Sequence, residues 1–295
     1  MQDYILSCSS TSDLTEEHYK SRNIHYVCFH FTLDGKEYSD DLGKSIPFHE
    51  FYQAMANGAM TKTSQLSVGE YLDYFTPFVE DGKDILHVTL SSGLSGDYNS
   101  ALTAAGMLME KYPERKIYIV DSLGASSGYG MLVDRLADLR DSGMNLNDLR
   151  AWAEEHKLEV HHWFFSTDLK YYVRGGRVSK TSGFIGNLLH ICPLLNMDEQ
   201  GHLIPREKVR TIKKVERDLV EKMIQFAQNG AEYAEKVFIS ESDCMEYAEP
   251  VAKMVEEAFP KMKGKVEIYS IGTTIGSHTG PGTVALFFWG NKRTN

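Results

Sequence analysis

The chain has 295 residues, of which 42% are hydrophobic and 24% charged, the balance of a globular protein with room for one large domain or two ordinary ones. Its net charge of −10 argues against nucleic acid as a general partner. No run of about 18 apolar residues is present, which excludes a membrane-spanning helix, and the N-terminus, with Asp3 and no basic region, reads as a first strand rather than a signal peptide.

Strands are expected at Tyr4–Ser7, Tyr26–Leu33, Ile85–Leu90, Ile117–Val120 and Val160–Phe165. Helical patterns fall between them, near Phe48–Asn57, Glu70–Val79, Asn99–Lys111, Met131–Arg140 and Asn147–His156. This alternation predicts an α/β fold with a mainly parallel sheet, and in such sheets ligands sit beyond the carboxyl ends of the strands. The second half opens with Asp168–Gly176 and the loop Arg174-Gly-Gly-Arg-Val-Ser179, followed by strand-like pieces at Leu189–Met197 and His202–Val209. A long helix follows, with Val215, Leu219, Val220, Met223, Ile224 and Ala227 on one apolar face. Val237–Ser240, a helix over Met245–Phe259, Val266–Ile271 and Val284–Trp289 complete a second α/β domain. The boundary is expected near residue 158, giving domains 1–157 and 158–292.

The strand at Ile85–Leu90 ends in Ser91-Ser-Gly-Leu-Ser-Gly96, and a helix-compatible segment follows. The turn offers an anion the N–H groups of Ser95, Gly96 and Asp97 together with the hydroxyls of Ser91, Ser92 and Ser95. A second hydroxyl-rich segment, Thr61-Lys-Thr-Ser-Gln-Leu-Ser67, precedes another helix start, with Ser67 and Glu70 at capping-box spacing. Two such turns can hold one carboxylate between them. Four cysteines, Cys8, Cys28, Cys192 and Cys244, lie far apart with no CxxC pair; they read as reduced thiols in a cytosolic protein, with neither a disulfide framework nor a zinc site.

Other patterns have competing explanations. Gly124-Ala-Ser126-Ser-Gly128 fits a GxSxG nucleophile elbow between a strand and a helix, and a hydrolase triad would combine Ser126 with His278 and either Asp168 or Asp243. The alternative is a plain small-residue turn. Gly272-Thr-Thr-Ile-Gly-Ser-His-Thr-Gly-Pro-Gly282 reads as a tight glycine loop that brings His278 or its backbone close to a ligand, or as a structural turn with an incidental histidine. His161 and His162 are neighbours on a strand and point to opposite faces, and with no carboxylate at ligand spacing they do not form a metal-site pattern. Between Lys170 and Lys214 nine Lys and Arg, Lys180 among them, face three acidic residues, a net of +6 that leaves −16 for the remainder. Such a basic lobe suits a phosphate or an acidic partner, and a solvated face is the alternative.

Taken together, these segments resemble the DegV family over nearly the whole chain. Seven motifs stand in family order: Ser12-Asp-Leu14, Thr63-Ser64-Gln65, Ser92-Gly-Leu-Ser-Gly96, Asp121-Ser122 with Gly128 and Gly130, Arg174-Gly-Gly-Arg177-Val-Ser, Pro193-Leu-Leu, and Gly276-Ser-His-Thr-Gly-Pro-Gly282. The resemblance implies a two-domain α/β protein that performs no chemistry, needs no cofactor and binds one long-chain fatty acid in a buried tunnel. It implies threonine and serine hydroxyls on the carboxylate, here Thr63 and Ser95, with Ser92, Ser64, Gly96 and His278 nearby. It also implies presentation of the bound acid to a separate fatty acid kinase, a step towards phospholipid metabolism, with Arg177, Arg210, Arg174 and Arg206 facing the partner or its phosphate. Ser9, Leu66, Asp97 and Cys192 stand where the family usually has Asp, Pro, Thr and Lys. An anion at Asp97 close to a bound carboxylate would weaken binding unless it faces away.

Overall fold

The computed structural model describes residues 4–179 and 191–294. Lys180 of the basic lobe and the first two residues of the strand expected at Leu189–Met197 lie outside the described residues.

β1 (Tyr4–Ser9) is buried along most of its length and runs into a 3-10 turn at Ser10–Ser12. After α1 (Glu16–Ser21), the single strand expected at Tyr26–Leu33 is instead two strands in different sheets, β2 (His25–Val27) and β3 (His30–Leu33). β4 (Lys36–Ser39) returns from β3 across Asp34-Gly35, whose φ angles are both positive. Asp-Gly is the preferred pair for such a two-residue hairpin turn. α2 (Phe48–Ala56) leads to β5 (Thr61–Ser64), which pairs antiparallel with β3, so the hydroxyl-rich segment is an edge strand. α3 (Val68–Glu80) starts in the expected capping box of Ser67 and Glu70.

β6 (Asp84–Thr89), α4 (Asp97–Lys111), β7 (Ile117–Asp121), α5 (Ser126–Asp141) and α6 (Leu146–His156) follow. The second half comprises β8 (Val160–Ser166), α7 (Lys170–Arg174), β9 (Cys192–Met197), β10 (Leu203–Val209), α8 (Ile212–Phe226), β11 (Val237–Glu241), α9 (Met245–Ala258), β12 (Val266–Ser270), α10 (Thr273–Thr279) and β13 (Thr283–Trp289). On α8 the residues Val215, Leu219, Val220 and Met223 are buried, whereas Ile224 is exposed. Ile224 lies nine positions beyond Val215, half a turn out of phase at 3.6 residues per turn.

Three sheets result. β2-β1-β6-β7 is parallel throughout, as the alternating pattern predicts. The second sheet, β10-β9-β8-β13-β11-β12, is antiparallel except between β11 and β12. The small sheet β4-β3-β5 is antiparallel. α5 is buried along most of its length and packs on both β1 and the strands β8, β11 and β13, so one apolar core runs from Tyr4 to Trp289. Gly128 makes this approach possible: a Cβ there would overlap Phe287 and His162. No helix among the described residues is long and apolar enough to cross a membrane.

The glycine loop expected over Gly272–Gly282 is a helix for most of its length, α10. The helix stops at Gly280, where φ is +68 and the ring of Tyr171 fills the space a Cβ would need. Both effects oppose any L side chain. Gly280→Ala is expected to destabilise the protein by more than about 1 kcal/mol in urea unfolding, whereas Gly35→Ala, at a turn with open space around it, is expected to cost less.

Candidate functional site

A cavity of about 330 Å³ lies where the three sheets approach one another. This is the size of an ordinary small-molecule site. Its walls follow from secondary-structure periodicity. Alternate residues of the paired strands β8 and β13 face it, His162 and Phe164 on one, Thr283, Ala285 and Phe287 on the other. Ile271, Thr274, Ile275 and His278 form one stripe along α10 and the segment leading into it. Leu90, Leu94, Phe29, Met197 and Leu203 add further apolar surface.

One end is polar. Thr63 on β5 and His278 on α10 meet with Oγ1 and Nε2 2.8 Å apart, and Arg177 Nη1 lies 3.3 Å from the other ring nitrogen, Nδ1. Burial, together with the positive charges of Arg177 and Arg174, lowers the His278 pKa to about 3, so the ring is neutral. An Arg N–H can only donate. Nδ1 therefore accepts, and the single ring proton sits on Nε2 and is donated to Thr63 Oγ1. The Thr63 hydroxyl proton is then left for an incoming acceptor. Arg177 also donates to the carbonyl of Leu94 at 2.9 Å and of Gly175 at 2.7 Å, pinning the turn that carries Ser95. Ser95 donates to Gln65 Oε1 at 3.1 Å and accepts from Asp97 N at 3.2 Å.

Thr63, Ser64, Ser95 and His278 all line this cavity, but Ser92 and Gly96 do not. Ser92 is exposed on the turn, its N–H donated to Asp121, and Gly96 is the N-cap of α4 beside Gln65. The cap is thus Gly96 rather than Ser95, and the N–H groups of Ser95 and Asp97, expected free for an anion, are bonded to Ser91 O and Ser95 Oγ. Arg177, expected to face a partner, is half-buried with its fork spent on two backbone carbonyls and His278. Arg174, Arg206 and Arg210 are exposed and do not line the cavity. Arg174 lies over the Tyr171 ring, and Arg206 donates to Asn196. Gln65 and Arg177 stand in motifs of the DegV resemblance, which puts Arg177 near the carboxylate as well as the partner surface, but the hydrogen bonds by which they organise the polar end join distant segments and have no local signal.

The hydrolase triad does not assemble. Ser126 does open α5 with a positive φ, but its hydroxyl donates to Asp13, and Ser240 Oγ is 3.1 Å away. His278 is engaged with Thr63 and Arg177. Asp168 accepts from Lys170 N at the start of α7, and Asp243 binds His49 and Gln53. His161 and His162 point to opposite faces as expected, His161 stacking on Phe226 and Phe288 while His162 meets Phe287 and the cavity.

A sequence model of the DegV family, described as an uncharacterised protein of that family, matches residues 8–291. The chain is 36% identical over 293 residues to a DegV domain-containing protein of Clostridium perfringens, covering 99% of each, and 33% identical over 279 residues to one of Lactococcus lactis, covering 94% of each. Among solved structures it is similar to a DegV family protein of Thermus thermophilus described by its fatty acid binding, at 26% identity and a TM-score of 0.85 over 98% of this chain and 100% of that one. A fatty acid binding DegV family protein of Streptococcus agalactiae matches at 26% identity and a TM-score of 0.83 over 97% of this chain and 98% of that one.

Asp97 does not weaken the polar end by facing it. Its side chain is fully buried on the core side, where Oδ2 accepts from Tyr71 at 2.9 Å, and it does not line the cavity. Tyr71 in turn lies 3.3 Å from His87, which meets Ser7 at 2.6 Å. Desolvation raises the Asp97 pKa to about 7, while burial lowers that of His87 to about 3. An acid whose folded pKa is raised stabilises the fold below its ordinary pKa near 4 and loses that contribution as pH rises through about 7. Asp97→Asn is therefore expected to be more stable than the parent at pH 8 by a few kcal/mol and to remove most of the decline between pH 5 and 8, measured by urea unfolding.

Proposed function

Because the chain belongs to the DegV family, we propose that it binds one long-chain fatty acid, with the carboxylate at Thr63 and Ser95 and the acyl chain along the apolar walls. The observation that carries this reading is the Thr63–His278–Arg177 relay at one end of an otherwise apolar cavity. A neutral His278 directs its proton to Thr63 and so frees the threonine hydroxyl to donate to an anion. Ser95 turns its proton from Gln65 to the second carboxylate oxygen. The Arg177 charge beside them offsets part of the cost of taking a carboxylate out of water. The chain supplies the affinity: each buried methylene contributes roughly 0.8 kcal/mol, so about fifteen contribute on the order of 12 kcal/mol before ordering costs. The names of the Thermus and Streptococcus relatives support the same ligand class.

The protein acts as a carrier rather than an enzyme, and presents the carboxyl group to a separate fatty acid kinase in the cytoplasm. Thr63, Ser64 and Gln65 support presentation, because they line both the inner cavity and an outer polar cleft with His30, Glu37, Lys62 and Glu70. The exposed Arg174, Arg206 and Arg210 are the groups available to an acidic or phosphate-bearing partner.

Solvent extraction and native mass spectrometry of the purified protein are expected to release an acyl acid in near-stoichiometric amount; recovery of no acyl acid, with no uptake of added lipid, removes the carrier reading. Thr63→Ala and Ser95→Ala are each expected to weaken binding by about 1–3 kcal/mol, the scale of a charge-assisted hydrogen bond, and Thr63→Ser to retain most of it. Arg177→Ala is expected to lower fatty acid content as well, since it unpins Leu94 and His278.

Presentation has its own test. Arg210→Ala is expected to leave fatty acid content unchanged while lowering kinase-dependent acyl-phosphate formation several-fold, with the difference shrinking as salt rises past a Debye length of about 8–10 Å. Full turnover across that salt range removes Arg210 from the partner surface and leaves lipid binding intact.

A further inference from the structure

A hydrocarbon chain offers nothing to a polar atom, yet one stretch of this cavity carries several. Thr274 lies on the cavity stripe of α10, one turn before His278, and is only 3% exposed. Its Oγ1 has no hydrogen-bond partner among the described residues. A buried helical hydroxyl ordinarily returns its proton to the carbonyl four residues back. Ser277 does so, donating to Thr273 O at 2.8 Å, but Thr274 is the second residue of α10 and has no helical carbonyl four residues back to receive its proton. A desolvated donor with no acceptor is costly, and a ligand that provides one recovers that cost.

Ser126 is the second observation. It lines the same cavity from the start of α5, 5% exposed and at φ +54, a conformation that costs an L residue energy. Its proton is donated to Asp13 and one lone pair meets Ser240 Oγ at 3.1 Å, which leaves the second lone pair of Oγ as an acceptor. The other oxygen of Asp13 lies against Gly272, two residues before Thr274, so Ser126 and the start of α10 stand on either side of one carboxyl group.

We infer that the cavity is built for an acyl chain bearing a hydroxyl group partway along it, with Thr274 donating to the hydroxyl oxygen and Ser126 accepting its proton. This deepens the fatty acid reading and rests on it. A hydroxyl both accepts and donates, matching the two groups in the wall; an oxo group only accepts, and an unsubstituted chain does neither. Thr274 stands four residues from His278, about 6 Å along the helix, which places the hydroxyl in the half of the chain nearer the carboxyl group.

The test offers the full-length protein equimolar octadecanoic acid and one monohydroxyoctadecanoic acid at a time, scanning the hydroxyl position, with bound species read by native mass spectrometry. One isomer, substituted in the carboxyl-proximal half, is expected to outcompete the plain acid by roughly tenfold. Thr274→Val, which keeps the shape and removes the hydroxyl, is expected to lower binding of that isomer and raise binding of the plain acid, so that the preference inverts. The inference is overturned if no isomer exceeds the plain acid, or if the preference survives both Thr274→Val and Ser126→Ala. If only the plain acid loads, this inference alone falls; if neither acid loads, the fatty acid reading falls with it.

Discussion

The meeting of Thr63 with His278 joins an edge strand in the first quarter of the chain to a short helix near its end, across 215 residues of sequence. The polar end of the cavity depends on that contact. It requires α10 to be seated against the small sheet, and Tyr52 contributes to the seating by donating to the carbonyl of Ile271 at 2.7 Å. It also requires a neutral imidazole, which burial and two nearby guanidinium groups enforce. Arg177 closes the arrangement by reaching both His278 and the Leu94 carbonyl, so the strand, the helix and the serine turn hold their positions together.

Walls and polar end contribute different things. Apolar surface attracts hydrocarbon in proportion to area and without direction, so rows such as those of β8 and β13 can supply affinity for an apolar ligand but cannot decide which end of it lies where. Directed donors decide that, because leaving a buried carboxylate unpaired costs far more than any one methylene contributes. The same accounting explains why Asp97 does not add an anion to the polar end of the cavity. Its carboxyl group is turned into the core with Tyr71 and His87, where desolvation favours its neutral form.

The turn between β7 and α5 shows how a motif and a chemistry come apart. Strand, sharp turn and helix are present, and Ser126 has the positive φ of an elbow. The glycine at position 128 is explained by packing, because a larger residue would strike Phe287 and His162. Nucleophilic catalysis needs a base oriented on the serine. Here the serine hydroxyl donates a hydrogen bond to the Asp13 carboxyl group, whose neutral form is favoured by burial, and the histidine of the proposed triad is committed elsewhere.

Local signals carried much of the fold. Short apolar runs located β1, β6, β7, β8 and β13, the Ser67–Glu70 capping box located the start of α3, Ser95 and His278 stand in hydroxyl- and glycine-rich segments that are local patterns, and Thr63 was singled out by the DegV resemblance. Even the Asp34-Gly35 hairpin had a local signature, although the run from Tyr26 to Leu33 reads as a single strand without it. What required tertiary structure was every statement about partners. That Gly272–Gly282 is mostly helix depends on packing against the small sheet, α2 and α7, which overrides the low helix propensity of its glycines and threonines. That Arg177 is an internal clamp, that Asp97 faces the core, and that Thr274 Oγ1 has no partner among the described residues follow from atoms far apart in sequence. Periodicity records which face of an element is buried; it holds no information about which distant face will cover it.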